Sequence, residues 1–265
     1  MKTMKIMLNI FTSILGLSLV SSLLAMDALE VVEKVNERED GLSVVRDLKM
    51  ELIDKRGKKR IRETISYRKY YGLDKKSVIY YKTPKRLSGT GFLTFDNKSK
   101  DDEQWLYLPS LRKVRRVSAA NRGDWFLGTD FSYEDIKKET KISTVDFDFK
   151  ILEEVDEKGI SSYVLESIPK NKALVKELGY SKIISFIDKD IFIARKATFY
   201  DERGGLLKTL LNKDIRKVDN IWTIHHLKME NHQNKHVSNF YFSNVDYKKE
   251  VKDSSFTKAS LKRRR

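Results

Sequence analysis

Residues 104–136, QWLYLPSLRKVRRVSAANRGDWFLGTDFSYEDI, carry the features that decide the fold class of this chain. The segment opens with alternating aromatic and aliphatic residues, which predicts a β-strand that turns at Pro109. A small polar loop then leads into GDWFLGTDF, where aspartates lie among aromatic residues. Between the strand and this loop stands a burst of four cations: Arg112, Lys113, Arg115 and Arg116.

Outward from this segment, residues that alternate between apolar and polar dominate the chain. In KRIRETISYRKYY (59–71), Ile61, Ile65 and Tyr67 share one side, and arginines, Thr64 and Ser66 share the other. About ten or eleven such strands are predicted, at spacings typical of an antiparallel barrel or a curled sheet. Because they do not alternate with long helices, a parallel α/β sheet is disfavoured.

Helices are predicted at the start of the chain and in its connections. DALEVVEKVNERED (27–40) has valines at helical spacing, Asp27 as its cap and Gly41 as its end. FSYEDIKKET resembles a capping box, with Ser132 followed three residues later by Asp135. NKALVKEL (171–178) is a further candidate, and DSSFTKASLKRRR at the end predicts a short helical turn with a basic tail.

The first 25 residues differ from everything after them. Lys2 and Lys5 precede a charge-free apolar run that ends in small residues, which is typical of a secretory signal peptide. Ala25 is the expected last residue of this leader, with Ser22 as the alternative, and an uncleaved membrane anchor is the rival interpretation. We expect residues 26–265 to form a single domain that is exported to the periplasm.

Composition narrows the class of partner. The chain has 265 residues, no cysteine and a net charge of +15, which falls to +13 without the leader. The absence of cysteine excludes disulfides, thiol catalysis and a lipid anchor on an N-terminal cysteine. Behind a signal peptide, a basic chain favours transient contact with anionic membrane surfaces or an acidic partner over nucleic acid.

No catalytic motif is visible, so we predict a protein that is not an enzyme and has no cofactor. The chain lacks G-x-S-x-G and H-E-x-x-H, and SGTGF (88–92) lacks the Lys-Ser/Thr ending of a phosphate loop. The histidines cluster at His225, His226, His232 and His236, but nothing fixes a third metal ligand. A polar strand end is therefore favoured over a metal site.

The cations of the opening segment allow two interpretations. In the first, Arg112, Arg115 and Arg116 are neutralised by the nearby acids, with Arg115 and Arg116 pairing Asp130 and Asp135 in a structural network. In the second, the arginines bind an anionic head group at the mouth of a cavity, since guanidinium groups bind phosphates and carboxylates in bidentate fashion. We favour the structural network.

The same segment also carries a family resemblance. Residues 89–136 resemble the signature of LolA-like outer membrane lipoprotein-sorting proteins, and looser similarity covers most of the chain after the leader. The D-D-x-Q-W-L-Y-L-P-x-L-x-K-V-R-R pattern matches from Asp101 to Arg116, and F-x-G-x-D-F-x-Y-E-D matches from Phe126 to Asp135.

The resemblance implies a mainly β fold: an unclosed, strongly curled antiparallel half-barrel of the LolA/LolB type, with a few helices on its concave side. It implies a periplasmic carrier that holds lipid or lipoprotein acyl chains in an apolar cavity for transfer toward the outer membrane. Some members are linked with transporters of the resistance-nodulation-division type. A periplasmic accessory subunit that carries nothing is therefore the alternative function.

Strand alternation gives a hypothesis for the lining of the cavity. Leu106 and Leu108 share one face of their strand, and Trp105 and Tyr107 share the other. We expect the leucine face to bind lipid, together with apolar residues of neighbouring strands. The predicted lipid-binding residues are Leu48, Met50, Leu52, Phe92, Leu106 and Leu108.

Overall fold

The structure, a computed structural model, describes residues 26–263, which form one antiparallel sheet of thirteen strands. The predicted leader and its cleavage sites at Ser22 and Ala25 lie outside these residues. The strands are β1 (Ser43–Ile53), β2 (Lys59–Tyr71), β3 (Asp74–Thr83), β4 (Gly91–Asp96), β5 (Glu103–Leu108), β6 (Lys113–Val117), β7 (Phe147–Glu157), β8 (Ile160–Pro169), β9 (Lys182–Asp188), β10 (Ala194–Tyr200), β11 (Leu206–Val218), β12 (Ile221–Asn231) and β13 (His236–Asp246).

The strand order explains how a long meander becomes a half-barrel. The order is β6-β5-β4-β3-β2-β1-β13-β12-β11-β10-β9-β8-β7, so the first and last strands pair in the middle of the sheet. The two edges are β6 and β7, which follow each other in sequence but do not pair. Residues 118–146 must therefore run from one edge of the sheet to the other.

Four short helices accompany the sheet within the described residues: α1 (Ala28–Glu37), α2 (Tyr133–Lys138), α3 (Lys172–Leu178) and α4 (Lys258–Arg263). The predicted capping box of α2 is present. The backbone N–H of Asp135 donates to the Ser132 hydroxyl at 3.0 Å, and the Ser132 N–H donates to the Asp135 carboxylate at 2.7 Å. These bonds satisfy donors that a helix start otherwise leaves unpaired.

The concave face of the sheet carries the main core. Met50, Leu52 and Phe240 are almost fully buried there, and Phe131 from the connection before α2 stacks on Phe240 with ring centroids 4.3 Å apart. Leu178 of α3 joins the same cluster. The valines of α1 are buried on the neighbouring part of this face, against strands β8 and β9.

The opposite face has its own, smaller core. Leu261 of α4 is fully buried against Tyr80, Leu93 and Trp105. The predicted position of the helices on the concave side is therefore confirmed for α1, α2 and α3, whereas α4 covers the outside. Burial drives this placement, because Leu261 and Phe256 are the apolar residues of an otherwise polar C-terminal segment.

The mainly β, unclosed half-barrel is confirmed, with thirteen strands over the described residues instead of ten or eleven. All of the segments with alternating polarity form strands. That residues 26–265 make a single domain remains a prediction.

Strand alternation generates a test of the core. Replacing Phe240 by Ala removes a buried ring that stacks on Phe131, so we expect the free energy of unfolding to fall by ~3–5 kcal/mol. The adjacent Tyr241 is 37% exposed, and its replacement by Ala is expected to cost no more than about 1 kcal/mol. Urea unfolding of both variants measures this; equal losses would show that the assignment of faces is wrong.

Candidate functional site

The connection between the sheet edges, residues 118–146, lies across the concave face and forms the inner wall of a cavity. Phe126 and Phe131 of this connection are buried in the main core, and Tyr133 and Ile136 pack against it. We call residues 118–146 the crossover segment. It follows β6 and contains the GDWFLGTDF loop and α2.

The cavity between the sheet and the crossover segment has a volume of about 220 Å³. Most of its wall is apolar, and the residues that matter most here are Leu48, Ile79, Phe131, Phe199, Met229 and Phe240. One end is polar and is formed by Arg38, Asp40, Arg46, Arg68, Glu139 and Lys141. We call these six residues the polar end of the cavity. The enclosure is thus amphipathic.

Asp130 anchors the crossover segment to the last strand. Its carboxylate lies 2.7 Å from Nδ1 of His236 and accepts a hydrogen bond of 2.6 Å from the Ser238 hydroxyl. The backbone N–H of Asp130 donates to the same hydroxyl at 3.0 Å. Because Asp130 is buried, these bonds replace the water that its carboxylate loses.

Asp135 anchors the segment to β11. Its carboxylate pairs with the ammonium group of Lys208 at 2.5 Å, and Lys208 is only 1% exposed. The same ammonium lies over the rings of Phe199 and Trp125, at 4.8 and 5.0 Å from their centroids. A buried cation of this kind requires an acidic partner, so Lys208 and Asp135 hold α2 against the sheet.

Further ion pairs fix the C-terminal end of α2. Lys138 pairs with Asp96 of β4 at 2.6 Å. Glu139 pairs with Arg46 of β1 at 2.8 Å and with Arg68 of β2 at 3.2 Å. Burial alone would raise the pKa of Glu139, but Arg46 and Arg68 outweigh it and lower that pKa to about 2.

Glu134 and Arg122 close a second network. Arg122 contacts Asp146 at 3.2 Å and Glu177 of α3 at 2.8 Å, and Glu134 pairs with Lys137 at 2.7 Å. Burial raises the pKa of Glu134, although its cationic neighbours oppose the shift. Together with the pairs of α2, this network ties the crossover segment to both halves of the sheet.

The predicted pairing of Arg115 and Arg116 with Asp130 and Asp135 is wrong. The acids bind His236, Ser238 and Lys208, while none of the arginines of the cluster, Arg112, Arg115 and Arg116, forms an ion pair within residues 26–263. All are exposed. Arg115 lies opposite Leu106 and Arg116 opposite Trp105 on the edge strand β6, so alternation points their side chains to opposite faces of the sheet.

The six residues predicted to bind lipid fall into different environments. Leu48 lines the cavity; Met50, Leu52 and Phe92 are buried in the core beside it. Leu106 packs against this core, and Leu108 lies outside it. Trp105 and Tyr107 pack on the outer face with α4, as alternation requires. Lipid binding by these residues remains a prediction.

Sequence reasoning missed the polar side of β2. Arg62, Thr64, Ser66 and Arg68 alternate with apolar residues, a pattern that ordinarily places the polar side in water. All four are buried beneath the crossover segment, and Arg62 donates to the carbonyl of Leu127 at 2.8 Å. The regular row of polar residues was the one sign in the sequence that this side is buried. The segment that covers it lies about sixty residues further along the chain.

The histidines do not form a common site. His232 contacts the Thr209 hydroxyl, His226 contacts Asn239, His225 contacts the carbonyl of Phe242, and His236 pairs with Asp130. No group of three or more His, Cys, Asp or Glu residues within 26–263 is arranged to hold a metal ion. Over the same residues, no helix has the length and apolar character needed to cross a membrane.

The pair of Lys208 and Asp135 can be tested by a double-mutant cycle. Because each charge is left buried without its partner, Lys208→Met and Asp135→Asn should each lower the free energy of unfolding by ~3–5 kcal/mol. The double variant should lose less than the sum, since the shared interaction is lost once. Exposed Lys213→Met on the same strand, and Arg115→Ala, should stay within about 0.5 kcal/mol of the wild type. Additive losses would contradict the anchor.

The lowered pKa of Glu139 predicts that the stability of the protein depends on pH. A carboxyl group whose pKa is lowered on folding stabilises the protein above its ordinary pKa of 4.5, and this contribution disappears as the pH falls toward 2. Glu139→Gln should therefore destabilise the protein by on the order of 3 kcal/mol at pH 7 and by much less near pH 2. Unfolding measured across this range, with exposed Glu153→Gln as control, checks it. A difference that does not depend on pH would refute the assignment.

Comparisons with known proteins agree with this architecture. A family model, described as that of an uncharacterized protein, matches residues 73–263. A search of curated proteins finds no match.

Solved structures give closer likenesses. An outer membrane lipoprotein-sorting protein domain from Vibrio parahaemolyticus is 29% identical with a TM-score of 0.81, and the match covers 89% of this chain and 98% of that one. A DUF1329 family protein from Desulfovibrio piger is 27% identical with a TM-score of 0.80, over 88% and 96% of the two chains.

A LolA superfamily protein from Nitrosomonas europaea is 21% identical with a TM-score of 0.68, over 89% of this chain and all of that one, a likeness of fold alone. The signature from Asp101 to Asp135, the unclosed sheet and these likenesses agree with one another. The chain therefore belongs to the LolA-like family of outer membrane lipoprotein-sorting proteins.

Proposed function

We propose that this protein is an exported, non-catalytic carrier that binds acyl chains of a lipid or lipoprotein in the cavity under the crossover segment. The observation that carries the proposal is an apolar enclosure on the concave face of a lipoprotein-sorting fold. Such an enclosure shields an acyl chain from water, and burying each methylene group contributes about 0.8 kcal/mol.

The volume of the cavity implies that binding moves the crossover segment. Pockets for small ligands usually measure about 300–1,000 Å³, whereas this one measures about 220 Å³. Phe131 and Ile136 of the crossover segment line it. An acyl chain of ordinary length would take the place of such side chains against Phe240 and Met229. The ion pairs of α2 would then set how much free energy the opening requires.

The chain's leader-like start, its lack of cysteine and its basic charge support a place of action in the periplasm. There the carrier would deliver its acyl chains toward the outer membrane and touch membrane surfaces only transiently. The exposed arginines of β6 suit such contacts with anionic head groups, because they are not engaged within the described part of the chain.

A second candidate is an accessory subunit that docks on an inner-membrane transporter of the resistance-nodulation-division type and carries nothing. The small volume of the cavity favours it, since a carrier without cargo would be expected to hold more open space. Native mass spectrometry of protein purified from its own cell envelope separates the two. Bound lipid supports the carrier, whereas an empty protein that co-purifies with a transporter supports the subunit.

Filling the cavity should abolish binding. Ala197 lines it and is almost buried, so Ala197→Phe is expected to place a ring where an acyl chain would lie, at a cost of ~1–3 kcal/mol in stability. Uptake of a fluorescent fatty acid should fall at least about tenfold, a loss of ~1.4 kcal/mol.

The matched control is Ala259→Phe on the exposed side of α4, which should leave uptake unchanged. Circular dichroism of both variants verifies that they are folded. Normal uptake by a folded Ala197→Phe protein would show that this cavity is not the binding site.

A further inference from the structure

The polar end of the cavity lies beside a depression on the protein surface. That depression has a volume of about 380 Å³ and is bordered by Lys34 and Glu37 of α1, by Glu39 just after it, and by Asp190 and Asn220 from two strand connections. Arg38, Phe192 and Trp222 line both the depression and the inner cavity. These side chains therefore separate the interior from solvent at the C-terminal end of α1.

Arg38 has an unusual set of partners for a guanidinium in this position. It donates to the carbonyl of Trp222 at 3.2 Å and to the Thr140 hydroxyl at 3.0 Å, both of which are neutral. It forms no ion pair with any carboxylate of residues 26–263, and its buried Nε has no hydrogen-bond partner. The guanidinium thus keeps donor capacity at the passage and has no carboxylate of the described chain in direct contact.

The nearest acid is already engaged by other groups. Asp40 binds Arg68 at 3.3 Å, Lys141 at 3.5 Å and the hydroxyl of Tyr70 at 2.8 Å. Glu139, the other acid of the polar end, is shared by Arg46 and Arg68. Asp40 stabilises the charge of Arg38 from a distance, but neither carboxylate forms an ion pair with it.

A count of charges gives the same result. Within the described chain, the polar end holds the cations Arg38, Arg46, Arg68 and Lys141 against the acids Asp40 and Glu139. The other charged residues that line the cavity form ion pairs with residues outside the lining: Glu134 with Lys137, Asp135 with Lys208 and Lys138 with Asp96. Inside the cavity the polar end therefore has two positive charges in excess, whereas the charged groups outside it, Lys34, Glu37, Glu39 and Asp190, are exposed to water.

This excess of positive charge is destabilising because the polar end is partly buried. Burial lowers the pKa of Arg38 and of Lys141, and the neighbouring Arg68 lowers both further. A cation without a partner pays a desolvation penalty that a bound anion would remove. The apolar wall begins directly beside this end, with Phe192, Ile193 and Ile224 among the lining residues.

We propose that the ligand of this cavity is an acyl chain that ends in an anionic group, a carboxylate or a phosphate, and that Arg38 binds this group at the passage to the surface. The tail lies along the apolar wall toward Met229 and Phe240. Guanidinium donors suit either anion in bidentate geometry. The inference rests on the proposed function and adds the chemical class of the ligand and the position of its head group.

The test compares amphiphiles of equal chain length: dodecanoate, dodecyl phosphate and the neutral monododecanoyl glycerol, with inorganic phosphate alone as a fourth probe. Calorimetry on the wild-type protein should show both anionic amphiphiles binding at least about tenfold more tightly than the neutral one, a difference of ~1.4 kcal/mol. Inorganic phosphate should not compete. Whichever anion binds more tightly identifies the head group.

Arg38→Gln should reduce the preference for the anionic amphiphiles to less than about threefold and leave the neutral one unaffected. Exposed Lys172→Gln on α3 is the control and should keep the full preference. If the neutral amphiphile binds to the wild type as tightly as the anions, or if inorganic phosphate competes as well as dodecyl phosphate, the inference is wrong and the carrier function stands. If none of the amphiphiles binds, the carrier function itself is wrong. The wild-type comparison is decisive even where Arg38→Gln fails to fold.

Discussion

The rest of the structure depends on one topological constraint: β6 and β7 are consecutive in sequence but form opposite edges of an open thirteen-stranded sheet over the described residues. Their connection has to cross the concave face, where it meets apolar side chains of the sheet. GDWFLGTDF and α2 suit this path because they alternate apolar residues that enter the core, such as Phe126 and Phe131, with acids that reach the strands. Without the crossover segment, the apolar side chains of the concave face would be exposed to water.

The crossover segment is held in place by charge as much as by apolar contact. Asp130, Asp135 and Glu139 each bind a partner on a different strand, which fixes the segment in one position along the face. Buried pairs of this kind contribute little net stability compared with apolar packing, but they penalise every arrangement in which one partner is left alone. They therefore specify where the segment lies while the space between it and the sheet stays apolar. That combination is what a cavity for a ligand requires.

Local patterns predicted the elements well, whereas contacts between distant segments escaped them. Alternation found the strands, and the spacing of Ser132 and Asp135 found the cap of α2, because both depend on neighbours within a few residues. The partners of Asp130 and Asp135 lie on β13 and β11, more than seventy residues away, so proximity in sequence pointed to the wrong arginines. The polar side chains of β2 were expected to face water for the same reason, because the segment that buries them is distant in sequence. Of the six apolar residues named for the cavity, Leu48 lines it, and Met50, Leu52 and Phe92 are buried in the core.

The distribution of charge also differs between the two ends of the crossover segment. Toward α3, Arg122 is surrounded by Glu134, Asp146 and Glu177, so this end of the crossover segment is neutralised from several sides. Toward α1, the polar end inside the cavity has more cations than acids, and Arg38 stands between the interior and the surface depression. Moving Arg38 aside breaks its hydrogen bonds to Trp222 and Thr140 but no ion pair among the described residues, whereas moving Arg122 would break several. The same feature that leaves Arg38 without a carboxylate thus favours the α1 end as the place where a ligand's head group meets water.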